Sequence, residues 1–124
     1  MRVLLLHAGV VNRTATEALL TAVGVEVVAT DDADKALEVL SRRLEAREKP
    51  IVAALVSREP RGMTGVKFAR EADRLSRHLP RRAIKTCLLS TVSVGHDAIP
   101  YVTDIFADPP TPEDIEAFLT HIRR

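Results

Sequence analysis

The run Ile51-Val-Ala-Ala-Leu-Val-Ser57, followed at once by Arg-Glu-Pro-Arg-Gly-Met-Thr-Gly65, constrains the fold more than any other stretch. A continuous apolar segment without polar alternation fits a strand buried on both faces. Such strands belong to parallel sheets covered by helices on either side. This one delivers a single short polar side chain, Ser57, to its end. Gly62 and Gly65 then mark a tight loop opening into a helix.

The rest of the chain repeats the arrangement. Val3–Leu6, the β-branched run Val25–Ala29, Ile84–Leu89 and Asp104–Ala107 read as further strands, and helical periods lie between them. Asn12 is predicted to cap a first helix with Ala15, Ala18, Leu19 and Ala22 facing inward and Gly24 at its end. Asp31, Asp32 and Asp34 crowd the start of a second, where carboxylates suit both cap and dipole. Leu37, Leu40 and Leu44 form its buried stripe, and Pro50 follows it.

A helix opened by Gly65 is expected to turn Val66, Ala69, Ala72 and Leu75 inward and Arg70, Arg74 and Arg77 elsewhere, before Pro80 stops it. Thr111-Pro112-Glu113-Asp114 is a strong start for the last helix, with Thr as cap, Pro in the first helical position and acids in the first turn. Ile115, Phe118, Leu119 and Ile122 make its inward stripe. Five β/α units predict a single domain over residues 1–124, an α/β flavodoxin-like three-layer sandwich with a parallel sheet in the order 2-1-3-4-5. Sites in such folds lie at the carboxyl ends of the strands, which gathers His7, Ala8, Ser57, Ser90 and Asp108 around one pocket.

Composition excludes several classes. With aromatics at 3%, the core must be built from Leu, Val, Ile and Ala, and a net charge of +1 gives no bulk attraction to nucleic acid. The sequence shows no helix-turn-helix addition, aromatic platform or basic stripe, so direct nucleic-acid binding is not expected. The arginine pairs Arg42-Arg43, Arg81-Arg82 and Arg123-Arg124, and Arg58 with Arg61, could contact phosphates or an acidic partner, but pairs like these are more often solvated faces interleaved with acids. Cys87 is the only cysteine and sits in an apolar run, a small buried hydrophobe with no disulfide to form. Val3–Leu6 is too short for a membrane span or signal segment, so a cytoplasmic location is expected. His7, His78, His96 and His121 lie on separate elements without metal-ligand spacing, and neither a metal nor a cofactor is expected.

Over nearly its whole length the chain resembles the receiver (response-regulator) domain of bacterial two-component signalling. Gly62-Met63-Thr64-Gly65 matches that family's Gly-Met-Asp-Gly loop, and Pro109 with Thr111-Pro112-Glu113 matches the ending of its fifth strand. The resemblance implies an acidic, magnesium-binding pair at His7-Ala8, a phospho-acceptor aspartate at Ser57 and a phosphoryl-contacting hydroxyl at Ser90. It also implies a lysine at Asp108 and an aromatic switch residue at Ile105. The frame is kept and most of the chemistry is not. Two lengths also differ: the second helix is expected to be more than a turn longer than usual, and the fourth helix short, irregular or absent.

Phosphoryl transfer to a carboxylate needs Mg²⁺, an anionic oxygen nucleophile and a cation on the incoming phosphoryl group. His7-Ala8, Ser57 and Asp108 provide none of these. The function expected is therefore a degenerate receiver, or pseudo-receiver. It would be a phosphorylation-independent, non-enzymatic protein-interaction module, docking rigidly or answering to another ligand with His7 as a pH-sensitive group. Two alternatives remain: a small hydrolase using Ser57, His7 and Asp108, and a receiver still regulated by a phosphate-like ligand. Against the hydrolase, Ser57 lacks a Gly-x-Ser-x-Gly elbow, and the short Asp108 side chain is expected to fall short of His7. The expected partner is a signalling or regulatory protein, or a second copy. It would meet the region of the fourth helix, fifth strand and fifth helix, where Val92, Val94, Ile99, Tyr101, Val102 and Ile105 either form a docking patch or cap the core.

Overall fold

A computed structural model describes residues 1–45, 51–77, 84–91 and 100–123. Five strands, β1 (Arg2–Leu6), β2 (Glu26–Thr30), β3 (Ile51–Ser57), β4 (Lys85–Ser90) and β5 (Asp104–Ala107), pair in parallel in the expected order β2-β1-β3-β4-β5. The described helices are α1 (Val10–Ala22), α2 (Ala33–Glu45), α3 (Gly65–Arg77) and α4 (Pro112–Arg123). The described α2 has 13 residues, the same as α1 and α3. The extra turn expected of it falls on residues 46–50, and the short fourth helix on residues 92–99, both outside the described residues.

Alternation along the strands divides the core in two. On one face Val3, Leu5, Ala53, Leu55, Cys87 and Leu89 pack with Leu20 of α1 and Ile115 and Phe118 of α4. On the other, Leu4, Leu6, Ala54 and Val56 pack with Ala36 and Leu40 of α2 and Phe68 and Ala72 of α3. Between Arg2↔Ile51 and Val3↔Ala53 the register slips by one, so Val52 and Ala53 both serve the α1/α4 side. No helix among the described residues is long and apolar enough to cross a membrane.

Two helix faces differ from the expected ones. On α1 the buried residues are Thr16 and Leu20, with Leu19 packed beside them, whereas Ala15, Ala18 and Ala22 face outward. Thr16 is tolerated inside because its hydroxyl donates to the Asn12 carbonyl at 2.7 Å. Nor does Asn12 cap this helix: the N-cap is Gly9, without a side-chain cap bond. On α3 Val66 faces outward, and the larger Phe68 is buried with Ala69 and Ala72. On α1 the apolar spacing holds but its phase shifts; on α3 the expected face holds at Ala69, Ala72 and half-buried Leu75, and Val66 alone leaves it. The last helix begins as expected, with Thr111 Oγ1 accepting from the Asp114 N–H and Asp114 accepting from the Thr111 N–H, at 3.1 and 3.0 Å.

Candidate functional site

The loop after β3 is held by backbone contacts that explain its glycines. Gly65 N–H donates to the Arg58 carbonyl at 2.8 Å, and a Cβ on Gly65 would lie 2.3 Å from the Ser57 carbonyl oxygen and 2.8 Å from Leu88 Cδ1. Only a residue without a side chain lets α3 start so close to the strand end. Gly62 sits at φ +98°, a region open to glycine, and neighbouring Arg61 zips onto the β2–α2 loop through Arg61 N–H to Asp31 O and Ala33 N–H to Arg61 O. Thr64 Oγ1 accepts from the Lys67 N–H and caps α3.

Beyond this loop a cleft of about 370 Å³ opens at the carboxyl ends of the strands. Four of the predicted site residues, His7, Ala8, Ser57 and Asp108, line it, together with Gly9, Arg58 and Glu59 of the adjoining loops. Ser90 does not. Leu89 and Thr91 face the cleft instead, because alternation along β4 sends Ser90 to the α3 side with Leu88. Thr91 therefore stands where the resemblance placed Ser90.

His7 and Asp108 meet across the cleft, each with a side chain 8% exposed, and His7 Nε2 lies 2.8 Å from both carboxylate oxygens. The expectation that Asp108 falls short of His7 is thus corrected: the strand ends bring the two within reach without a long side chain. Gly9 N–H donates to His7 Nδ1 at 2.8 Å, so Nδ1 is the acceptor and the ring proton sits on Nε2, donated to Asp108. Asn12 Nδ2 donates to Asp108 Oδ1 at 3.2 Å, and Arg13 Nη1 to the His7 carbonyl at 2.9 Å. Asn12 is the site residue that sequence reasoning missed. Its position five residues beyond His7, on the first turns of α1, was the available signal, taken instead for a cap. The Asp108–Pro109 peptide is cis.

Ser57 contrasts with this network. It is 5% exposed, and among the described residues its hydroxyl has no hydrogen-bond partner. The arrangement accordingly contains a His–Asp pair but no Ser–His bond, and both ring nitrogens of His7 are engaged elsewhere. Among the described residues no group of three or more His, Cys, Asp or Glu is placed to hold a metal. The magnesium implied by the resemblance does not fit what is present: the β1 end offers an imidazole and a methyl, and the Asp108 carboxylate is already shared between two donors.

Of the other singled-out residues, Tyr101 is 47% exposed at φ +68°, Val102 and Ile105 are half-buried, and Val92, Val94 and Ile99 lie outside the described residues. His121 Nε2 pairs with Asp104 at 2.8 Å, while Lys85 Nζ donates to the His121 carbonyl. His78 and His96 lie outside the described residues. Burial, with Asp104 nearby, pushes the Cys87 thiol up to about 12.

No family model matches the chain, and no curated protein matches it by sequence. Solved structures do. The chain is similar to the receiver domain of a sensor histidine kinase from Pseudomonas aeruginosa, which has a magnesium ion in its active-site cleft, at 21% identity and TM-score 0.77, covering 99% of this chain and 98% of that one. It is equally similar to the beryllofluoride-activated N-terminal receiver domain of RstA from Klebsiella pneumoniae, at 21% identity and TM-score 0.76 over 100% of both chains. A histidine-kinase receiver domain from Arabidopsis thaliana superposes with TM-score 0.81 at 16% identity, covering 98% of this chain and 89% of that one. At these identities the likeness is one of architecture, and the chain has the CheY-like receiver fold.

Proposed function

We propose that this domain is a pseudo-receiver, a protein-interaction module of two-component signalling or transcriptional regulation that works in the cytoplasm without phosphorylation. The observation that carries the reading is the closed network of His7, Asp108 and Asn12. The resemblance implies acids on the first strand and a cation on the fifth. Here the pair runs the other way, with the proton-bearing ring on β1 and the carboxylate on β5. It ties the same two strand ends together without a phosphoryl group or metal to bridge them. Arg58 also lines the cleft, but an incoming phosphoryl group would find a neutral serine in place of an acceptor carboxylate and the Asp108 carboxylate, which repels it, on the fifth strand.

Two features argue against the hydrolase reading. Among the described residues Ser57 Oγ has no base in hydrogen-bond contact, and the His7 Nδ1 lone pair is taken by the Gly9 N–H. Half-buried Ile105 in place of an aromatic further supports a module that docks in one conformation. Exposed Tyr101 belongs to the region expected to meet a partner or a second copy.

The test is an NMR titration of the labelled domain with Mg²⁺ and beryllofluoride. The expected outcome is no saturable shift at Ser57, Thr91 or Asp108. A saturable response there would replace this reading with that of a receiver still governed by a phosphate-like ligand, for which the bare Ser57 hydroxyl is the natural contact.

A further inference from the structure

The outward face of α3 carries four cations in one line. Lys67, Arg70, Arg74 and Arg77 are all exposed and recur at spacings of three, four and three, which stacks them on one side of the helix over about 15 Å. The sequence places Arg70, Arg74 and Arg77 off the face of Ala69 and Ala72; with Phe68 buried beside these alanines, the three arginines and Lys67 share an arc with exposed Val66. With four cations against Glu71 and Asp73, α3 carries a net +2, more than the +1 of the whole chain. Charge here is segregated, although the molecule as a whole is nearly neutral.

The acids on the helix do not cancel the stripe. Glu71 is shared at long range between Arg70 (3.8 Å) and Arg74 (3.6 Å), and Asp73 holds Arg77 at 2.8 Å. The arginine side chains remain 54%, 63% and 70% exposed, while the acids sit half-buried at their bases. Each guanidinium has five donors, and these contacts with Glu71 and Asp73 leave most of them available on exposed side chains. Among the described residues, Lys67 has no ion pair.

We propose that this face of α3 docks an acidic helix of a partner protein, one whose carboxylates recur at the same three-and-four spacing. Charge complementarity selects an acidic surface, and the shape of the stripe selects a protein. The line is one cation wide, with acids along its flank that would face a duplex's phosphates and no exposed aromatic on the helix for bases to stack on. A partner helix laid along α3 meets Arg70 and Arg74 at its centre and Val66 at one end, an apolar anchor beside the ionic row. This surface lies on α3 rather than in the cleft, so its occupancy does not depend on whether the cleft has lost its chemistry.

The test uses the full chain and a labelled helix-forming peptide carrying glutamates three and four residues apart on one face. A peptide of the same composition with scrambled glutamates and a short DNA duplex serve as comparators. Fluorescence anisotropy at low salt should show saturable binding of the first peptide, weakening as salt is added. The Arg70→Gln/Arg74→Gln double variant should weaken it by about fivefold or more, whereas Arg42→Gln, an exposed arginine on α2, should leave it unchanged. Both variants alter exposed side chains, and circular dichroism checks that they fold. Equal binding by the double variant, equal binding of the scrambled peptide, tighter binding of the duplex, or no binding at all would each overturn the proposal. Beryllofluoride binding in the cleft would leave it standing.

Discussion

On the β1 and β5 side of the cleft, Asp108 accepts from both His7 and Asn12; on the β3 side, the Ser57 hydroxyl is buried with no partner among the described residues. The two sides share one cavity and one solvent, so the difference lies in what has been built around each. The first side has become a self-contained hydrogen-bond network. On the second, Gly65 is pressed against the Ser57 carbonyl, but among the described residues no polar atom matches the side chain. A buried hydroxyl left unmatched costs roughly 1–3 kcal/mol. One half of the site therefore contributes to the stability of the fold, and the other subtracts from it.

The largest expected effect is on the β3 side and concerns the backbone rather than the hydroxyl. Gly65→Ala forces a Cβ against backbone and Leu88, and should cost about 3 kcal/mol in urea denaturation. A loss below about 0.5 kcal/mol would mean that the loop is not built on that close approach. Next comes the network. Asp108→Ala strands the His7 Nε2–H and the Asn12 amide, and about 2 kcal/mol should be lost. The ¹⁵N shifts of His7 should at the same time report a change of tautomer or protonation. Unchanged stability would remove the contrast between the two sides.

Ser57→Ala should go the other way, raising stability by about 1 kcal/mol, since it deletes the unmatched group and leaves only a small void. Destabilisation instead would show that Ser57 has a partner in solution. The smallest effect at neutral pH belongs to Cys87, beneath the cleft in the α1/α4 core. Its thiol ionises near 9 when unfolded and near 12 when folded, so above about pH 9 the unfolded chain holds fewer protons and stability falls with rising pH. Denaturation midpoints measured between pH 8 and 10.5 should decline less steeply for Cys87→Ala. Parallel slopes would discount the buried thiol.

How much of this was legible beforehand is clearest from α1 and α4. Both show apolar residues at helical spacing. For α4 the inward stripe of Ile115, Phe118 and Leu119 was read correctly, because large residues occupy one face only and a Thr–Asp cap fixes the start. Along α1, small residues surround the helix, so Ala15, Ala18 and Ala22 make as good a stripe as Thr16, Leu19 and Leu20. Spacing is a local property, but phase is decided by which face finds a sheet to cover. On α3 the same distinction misplaced Val66, which faces outward while Phe68 is buried. It also exchanged Ser90 for Thr91, since a slip of one residue at a strand end moves a side chain to the other face.

The sequence by itself determined the strands, their order and the glycine loop. Buried parallel strands need continuous apolar runs, and tight starts need glycine, requirements that each segment states locally. It also determined which groups the cleft can use, since no fold turns Ser57 into a carboxylate or Asp108 into a cation. The tertiary structure alone decided which of those groups meet. His7 and Asp108 lie 101 positions apart in the chain, and Asn12 and Asp108 lie 96 apart. Whether such groups meet depends on how strand ends and a helix start converge to within about 3 Å, a distance set by packing across the whole sheet.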